Sequence, residues 1–319
     1  MDLYKNLKNK IENINSISFN SEKEIQTLVE QNSVQFFNLQ FIGSEVKVGS
    51  YRIDSLCFDK DNKSFVIIEY KKGNSYSVID QGFTYLQLLL NNKAEFLHIY
   101  SEHLDKVIKN KDIDWSQSKI LFVSQSFNTY QKDSVNFKGL PFELWEILKY
   151  ENNLVSLNQI QTTSSESINS ITSANSEKIK SVNKEIVNYD EEYHTKKFSK
   201  DLLANWEKLK DQLLSEENVN IKFSSSYISF TVGNTRKTIA YFNTRAEGFK
   251  VHILRGFLRE DGSESKKLLR LDDPKKLAKE ITWKYLNDTQ LAYEIIFDKN
   301  TNSDYLLFLI KQQIKKISS

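Results

Sequence analysis

The sequence predicts an α/β N-terminal domain, with a mixed central sheet flanked by helices, followed by a C-terminal α+β domain. Three observations support this prediction. At 319 residues the chain exceeds the usual length of one domain. Helical and strand-like periodicities alternate over residues 1–160. Residues 161–185 are rich in Ser, Thr and Asn, which indicates a flexible linker before a second domain at residues 186–319.

The N-terminal elements follow from local patterns. The segment SEKEIQTLVEQN has apolar residues at helical spacing, with Ser21 as a cap and Glu24 three residues later. Alternating or apolar segments predict strands at 44–48, 51–58, 64–71 and 119–124, with an edge strand at 142–148. Further helices are predicted over 77–92 and 94–109. The sequence DKDN between the second and third strands predicts a hairpin turn.

The C-terminal domain begins with an amphipathic helix predicted at 197–214. Strand-like segments follow, namely IKFSSSYISFTV, KTIAYFNT and FKVHILRG. Helices predicted near 274–287 and 303–317 complete this domain. The order of elements favours a compact α+β unit.

Composition excludes several classes of protein. The single cysteine, Cys57, excludes an intrachain disulfide and favours a reducing, cytoplasmic setting. Because no apolar stretch approaches about 18 residues, we expect no membrane span, and the N-terminal segment lacks the apolar core of a signal peptide. Residues 221–319 carry 18 basic and 11 acidic side chains, which favours a polyanionic partner. The alternative is a general lysine-rich bias of the composition.

Charged residues interrupt two apolar strands, at Asp54 and at Glu69-Tyr70-Lys71. Side chains two residues apart share a face of a strand, so Glu69 and Lys71 should point together. In an antiparallel hairpin of 51–58 and 64–71, Asp54 would lie opposite them. Two carboxylates with open positions for water and phosphate are suited to Mg²⁺. The alternative for this spacing alone is a salt bridge at a strand end.

The following helix carries Gln81 and Tyr85, four residues apart and therefore on one face. The order Asp54, Glu69-x-Lys71 and Gln81-x-x-x-Tyr85 resembles the PD-(D/E)XK nuclease superfamily. The glutamine and tyrosine are similar to the signature of its RecB-like branch, and RIDSLCFDKDNKSFVIIEYKKG resembles the NucS-like endonuclease domain. The resemblance covers roughly residues 20–125 and implies a restriction-endonuclease-like fold.

The resemblance also implies roles for residues. The implied metal ligands are Asp54, Glu69, the backbone carbonyl of Tyr70, and Glu24 on the first helix. Lys71 would be the catalytic lysine, and Gln81 and Tyr85 would orient it or contact DNA phosphates. The cofactor would be Mg²⁺, for which Mn²⁺ can substitute. Glu30 points away from the apolar face of the first helix, so we expect it to be solvated.

Basic residues supply candidate contacts with nucleic acid. Two flank the catalytic residues, Arg52 and Lys72, and four lie in the C-terminal domain, Arg236, Lys237, Arg245 and Arg255. Aromatic residues interleave with the second group: Tyr227, Phe230, Tyr241, Phe242, Phe249 and Phe257. Such strands can bind nucleic acid by phosphate contacts and stacking. Alternatively, they are ordinary strands with solvated basic faces.

The sequence therefore predicts a Mg²⁺-dependent DNA endonuclease acting in repair or in restriction and defence. The alternative is a nuclease-fold protein that has lost turnover and binds nucleic acid or serves as a scaffold. RNA is a third option, because the chemistry is common to both polymers. Cutting both strands of a duplex from one site per chain would favour a homodimer. The C-terminal domain resembles an uncharacterised module found behind restriction-type domains, which implies a role in recognition or oligomerisation.

Overall fold

The computed structural model describes residues 3–71, 78–137, 139–161, 164, 182, 185–187, 189–233, 237–259, 261–265, 268–285 and 288–318. The chain divides into two compact units, residues 1–188 and 189–319. Most of the segment predicted as a linker, 161–185, lies outside the described residues.

The first unit is a mixed sheet flanked by helices, as predicted. Its elements are β1 (Leu3–Leu7), β2 (Lys10–Ile14), β3 (Ser16–Ile17), α1 (Glu22–Gln31), α2 (Ser33–Phe37), β4 (Gln40–Val48), β5 (Tyr51–Asp59), β6 (Ser64–Lys71), α3 (Val78–Asn91), α4 (Lys93–Leu104), β7 (Lys119–Ser124), α5 (Thr129–Ser134), β8 (Phe142–Tyr150) and β9 (Leu154–Ile160). Strands β1 and β2 form a separate hairpin. The larger sheet has the order β3-β8-β7-β6-β5-β4, with β9 paired to β8.

Strand β6 lies at the centre of this sheet. It pairs antiparallel with β5 and parallel with β7, and β7 pairs parallel with β8. Phe65, Val66, Ile67 and Ile68 are fully buried, because helices cover both faces of the sheet. On one face Phe65 packs against Phe96 of α4. The opposite face, with Val66 and Ile68, belongs to a core that includes side chains of α1.

Helix α3 approaches the sheet closely at Gly82. A Cβ atom at this position would lie 2.6 Å from Cζ of Phe142, which is closer than real Cβ contacts allow. The ring of Phe142 packs edge-on against Phe83, with ring centroids 5.0 Å apart. Glycine at position 82 therefore sets the distance between α3 and β8, and with it the position of Gln81.

Two predictions for this unit are wrong. The strand at 142–148 is not an edge strand, because β9 pairs antiparallel along its outer side. The sharp turn that joins them uses Asn152 and Asn153, both with φ near +59°, a conformation that asparagine tolerates well. The helix predicted over 94–109 ends earlier, at Leu104, where Asp105 adopts the left-handed conformation.

The second unit is an antiparallel sheet with helices. Its elements are α6 (Glu191–Thr195), α7 (Lys200–Leu214), β10 (Val219–Phe223), β11 (Tyr227–Val232), β12 (Lys237–Arg245), β13 (Gly248–Leu258), β14 (Lys279–Tyr285), β15 (Asp288–Phe297) and α8 (Ser303–Ser318). The strand order is β10-β11-β12-β13-β15-β14. Its core joins apolar side chains of α7 and α8 to one face of the sheet. Trp206 of α7 lies at the centre, in contact with Phe230, Phe242 and Phe249.

The helix predicted near 274–287 is wrong. Residues 279–285 form β14, which pairs antiparallel with β15. Ile281 and Trp283 alternate with polar residues at the period of a strand. Pairing with β15 decides the conformation. Within the described residues, the structure contains no helix with the length and apolar character needed to cross a membrane.

Candidate active site

The β5–β6 hairpin brings Asp54 beside the Glu69-Tyr70-Lys71 segment. Ser55 pairs with Ile68 across the two strands, so the predicted antiparallel hairpin is confirmed. The backbone N–H of Tyr70 donates to Oδ2 of Asp54 at 3.1 Å. The N–H and carbonyl of a strand residue point to the same side of the strand. The carbonyl of Tyr70 therefore faces the strand that carries Asp54.

Glu69 is the centre of a hydrogen-bonded group. Its carboxylate is buried, with 5% of the residue exposed. Its Oε1 accepts from Nζ of Lys71 at 3.0 Å and from Nε2 of Gln81 at 2.6 Å. Gln81 also donates to the hydroxyl of Tyr85 at 3.2 Å, and that hydroxyl donates to the carbonyl of Arg52. Four predicted site residues, from β6 and from α3, thus lie together with Asp54 opposite.

The side chain of Tyr70 points to the face of β6 opposite Glu69 and Lys71. Its ring belongs to the core that includes α1, and its hydroxyl lies 3.0 Å from Oγ of Ser55. The expected alternation of Glu69, Tyr70 and Lys71 is therefore confirmed. Burial raises the pKa of the Tyr70 phenol above its usual value, so this hydroxyl stays protonated.

Burial and mutual repulsion disfavour the ionisation of Asp54 beside the Glu69 carboxylate. Burial, with the charge of Glu69 as the second cause, raises the pKa of Asp54 from 3.8 to about 6. The hydrogen bond from Tyr70 and the charge of Lys71 act against this rise. Burial also raises the pKa of the Tyr85 phenol, with Glu69 as the second cause. The single positive charge of Lys71 therefore acts on two carboxylates, Asp54 and Glu69.

The residues present fit a divalent metal ion. Among the described residues, Oε2 of Glu69 is a buried oxygen without a hydrogen-bond partner. An orphaned buried carboxylate oxygen is costly unless a ligand satisfies it. The described residues contain no cluster of three or more His, Cys, Asp or Glu side chains that could hold a metal. Two carboxylates and one carbonyl, with water and phosphate in the other positions, match the way Mg²⁺ is usually held.

Glu24, predicted as a further metal ligand, has another role in the structure. Its carboxylate accepts from the backbone N–H of Asn20 at 2.8 Å and from Nζ of Lys149 at 2.9 Å. The backbone N–H of Glu24 donates in turn to Oγ of Ser21. The bonds with Asn20 and Ser21 cap the N-terminus of α1. The bonds from Asn20 and Lys149 lower the pKa of Glu24, with the Asn20 bond as the largest cause. The capping pattern in the sequence was the stronger signal at this position.

Glu30 and Gln26 form a polar group that sequence reasoning missed. Glu30 was expected to be solvated, but its Oε1 accepts from Oγ of Ser55 at 2.6 Å and from Nε2 of Gln26 at 2.8 Å. Gln26 is buried and also donates to the carbonyl of Asp54 at 2.9 Å and to Oγ of Ser44. Helix α1 thus fixes the backbone at Asp54. A glutamine beside Ile25 on an apolar helix face was the available signal.

The predicted nucleic-acid contacts near the site are only partly described. Nε of Arg52 pairs with Oε2 of Glu45 at 2.9 Å, and most of the Arg52 side chain is exposed. Glu45 adopts a φ of +53° in β4, and its charge contributes to the raised pKa of Asp54. Lys72 lies outside the described residues.

Among the residues that the structure describes, the predicted contacts in the second unit are not gathered in one patch. Lys237 and Arg245 lie at opposite ends of β12, about 27 Å apart at the usual rise of a strand. Arg255 pairs with Glu280 at 2.6 Å and packs over the ring of Tyr293, so it has structural partners. Arg236 lies outside the described residues.

The interleaved aromatic residues of the second unit also divide. Phe230, Phe242 and Phe249 are fully buried in the core and cannot stack on bases. Tyr227 and Tyr241 stay half-exposed on the other side of the sheet. The structure therefore separates aromatic residues that pack from those that face outward.

Comparisons with known proteins place the chain in a family. No protein-family model matches the chain. An uncharacterised protein from Haemophilus influenzae is 34% identical over 318 residues, covering 99% of this chain and 100% of the relative.

Two solved structures show limited similarity. They are a repair endonuclease from Pyrococcus abyssi, with 20% identity and a TM-score of 0.23, and an EndoMS–dsDNA2 complex, with 18% identity and a TM-score of 0.24. Each match covers 41% of this chain, which spans about half the length of those proteins, 49% and 47%. TM-scores this low do not establish a shared fold. The identity along the full length of the Haemophilus influenzae protein does establish relationship, and the chain belongs to the same family as that protein.

Proposed function

We propose that this protein is a Mg²⁺-dependent endonuclease that hydrolyses phosphodiester bonds of DNA. The observation that carries the proposal is the buried Glu69 carboxylate. One of its oxygens is held by Lys71 and Gln81, and the other lacks a partner among the described residues. A purely structural ion pair has no need to bury an unsatisfied oxygen beside a second carboxylate, Asp54.

The roles of the side chains follow from their contacts. Asp54 and Glu69 would hold the cation, together with the carbonyl of Tyr70. A bound Mg²⁺ would lower the pKa of a water molecule and neutralise charge on a phosphoryl oxygen. Lys71 lies 3.0 Å from Glu69, where its ammonium can stabilise the charge that develops on the phosphate. Gln81 and Tyr85 hold Glu69 and Lys71 in this arrangement.

The reaction needs only water as the second substrate. The water oxygen bonds to phosphorus while the bond from phosphorus to one sugar oxygen breaks. The products are a phosphomonoester and a hydroxyl group, and one proton is released. Lys71 favours the pentavalent state over the ground state, because negative charge increases near its ammonium group.

The test is cleavage of plasmid, single-stranded, branched and modified DNA, and of RNA, with Mg²⁺, with Mn²⁺ and with EDTA. We expect cleavage only with a divalent metal, and its loss in Asp54→Ala, Glu69→Ala and Lys71→Ala. The control is Glu102→Ala, an exposed carboxylate on α4 whose partner is His98. Full activity in any of the three site variants would remove the role assigned to that residue.

Calorimetric titration with Mn²⁺ separates the proposal from a nuclease fold that has lost turnover. We expect binding by the wild-type protein and none by Glu69→Ala. A folded wild-type protein that binds no Mn²⁺ would contradict the proposal and favour the scaffold alternative. Cleavage of RNA but not DNA would redirect the substrate assignment and leave the site residues in place.

A further inference from the structure

The sheet of the second unit has one face in the core and one face with a different composition. Apolar residues from alternate positions contact α7 and α8. The residues between them point the other way. Six of them with aromatic or polar side chains are here called the aromatic face: Tyr227, Tyr241, Asn243, Lys250, His252 and Trp283.

Rings on the aromatic face form two neighbouring pairs. Tyr227 and Tyr241 lie on adjacent strands with centroids 4.9 Å apart. His252 and Trp283 lie 5.4 Å apart, with planes tilted by 31°. Tyr241 and His252 are direct partners in the β12–β13 register, which joins the two pairs. The four rings therefore lie on β11, β12, β13 and β14, with β15 between the last two strands.

Trp283 differs from the other tryptophans of the chain. Of the four tryptophans, three are buried: Trp115, Trp145 and Trp206. Trp283 is half-exposed. A large apolar ring left in contact with water on the surface of a sheet loses the free energy of burial. Together with the neighbouring rings of Tyr227, Tyr241 and His252 it forms an aromatic patch, and exposed patches of this kind mark interaction sites.

The polar groups of the aromatic face carry a positive balance. Glu294 lies beside them, but its carboxylate is shared between Nε2 of His252 at 3.1 Å and Nζ of Lys250 at 3.4 Å. The other nitrogen of His252 lies 3.2 Å from the amide of Asn243. The Lys250 side chain stays 42% exposed. Lys279 is exposed and pairs with Glu294 in the β14–β15 register, and residues 221–319 as a whole are basic.

We propose that the aromatic face binds single-stranded nucleic acid, with bases stacked on Trp283 and Tyr241 and a phosphate close to Lys250. Stacking requires the flat faces of bases, which a single strand exposes and a duplex covers. A duplex is instead read by an α-helix or a two-stranded β-ribbon that enters its major groove, not by rings across the face of a sheet. The inference concerns the second unit alone and does not depend on the proposed catalytic site.

The test uses the fluorescence of Trp283 in the full-length protein, with EDTA present so that no cleavage occurs. The titrant is a single-stranded oligothymidylate of about 15 nucleotides. We expect quenching of tryptophan emission, because Trp283 is the tryptophan available for stacking and the others are buried. Anisotropy of the same oligonucleotide with a fluorescein label measures affinity independently.

Two variants of Trp283 distinguish loss of the fluorescence signal from loss of oligonucleotide binding. Trp283→Phe should abolish the quenching but keep the affinity within about threefold, because phenylalanine also stacks. Trp283→Ala should weaken binding about tenfold, within the range measured for removal of one stacked base. Lys250→Gln should reduce the dependence of affinity on salt by about one phosphate contact. The control is Tyr193→Ala, which removes an exposed aromatic ring of α6 that lies off the sheet.

Several results would overturn the proposal. These are binding of the oligonucleotide without quenching, equal affinities for Trp283→Ala and Tyr193→Ala, or preference for duplex of the same length. Absence of binding would do so as well, provided circular dichroism shows that the protein is folded. An RNA oligonucleotide of equal length distinguishes the two polymers. Failure of cleavage with intact binding would refute the proposed catalytic function and leave this inference standing.

Discussion

In the metal-free protein, the ionised Asp54 carboxylate should lower the stability of the folded state at neutral and alkaline pH. The variant Asp54→Asn tests this. Burial and the charge of Glu69 raise the pKa of Asp54 from 3.8 to about 6. A carboxyl group with a higher pKa in the folded than in the unfolded protein binds its proton more tightly when folded. The resulting stabilisation is complete below about pH 4 and is lost as the pH rises through about 6. At pH 8 the ionised Asp54 therefore destabilises the folded state.

The magnitude follows from the size of the shift. A rise of about two pKa units corresponds to about 3 kcal/mol. Because Asp54 is half-buried, solvent screening reduces this to about 1–2 kcal/mol. For a unit of this size, such a gain raises Tm by about 2–8 °C. Asparagine keeps an oxygen that can accept the hydrogen bond from the Tyr70 N–H, so the substitution removes charge and retains this contact.

The assay is thermal unfolding of wild-type and Asp54→Asn proteins in EDTA at pH 8 and at pH 4. We expect the variant to be more stable at pH 8 and equal to wild type at pH 4. Glu102→Gln neutralises an exposed carboxylate and should change Tm little at either pH. Mn²⁺ should then stabilise wild type more than Asp54→Asn. A variant no more stable than wild type at pH 8, or an equal gain at pH 4, would refute the reasoning.

Three further predictions concern the support of the site. A change from glycine to alanine usually favours a helix, but in Gly82→Ala the new Cβ would lie 2.6 Å from Phe142. Urea unfolding should therefore show a loss of stability of about 1–3 kcal/mol, and Phe142→Leu in the same chain should restore part of it. An unchanged stability would contradict the close approach of α3 to β8. Gln26→Leu removes a buried donor to the carbonyl of Asp54 and should lower the free energy of unfolding by about 1–3 kcal/mol. It should also weaken Mn²⁺ binding in calorimetry. Unchanged Mn²⁺ affinity would show that this contact does not position the site. Glu24→Ala removes the acceptor of the Asn20 N–H and should lower Tm slightly without changing Mn²⁺ affinity. A large loss of Mn²⁺ affinity would instead support its predicted role as a ligand.

The hairpin at the site was predictable because two regular patterns coincide there. Strand alternation fixes which side chains share a face, and a polar turn between two strands fixes their pairing. The register that places Asp54 beside Tyr70 follows from these alone. The sheet class was predictable for the same reason, since buried parallel strands appear as uninterrupted apolar runs such as KILFVS.

Other features depend on partners that are distant in sequence. β14 is a strand because β15 pairs with it, although its sequence follows a proline and several lysines as a helix could. Glu24 and Glu30 lie on the same short helix, and their angular positions did not indicate the partners of either side chain; Glu30 was wrongly expected to be solvated. Lys149, which holds Glu24, comes from β8, and Ser55, which donates to Glu30, comes from β5. No spacing within the helix contains that information.

The two faces of the β5–β6 hairpin are supported by different helices, and this support keeps Asp54 and Glu69 close together. On one face α3 supplies Gln81 to a buried carboxylate, Glu69, whose other oxygen has no partner among the described residues. On the other face α1 supplies Gln26 to the backbone of Asp54, and Ser55 joins Glu30 to Tyr70. Repulsion between Asp54 and Glu69 would otherwise relax by movement of one strand away from the other. Because α1 holds β5 at Asp54 and α3 holds both β6 at Glu69 and β5 at Arg52, the two carboxylates remain together at a cost that a bound cation would remove.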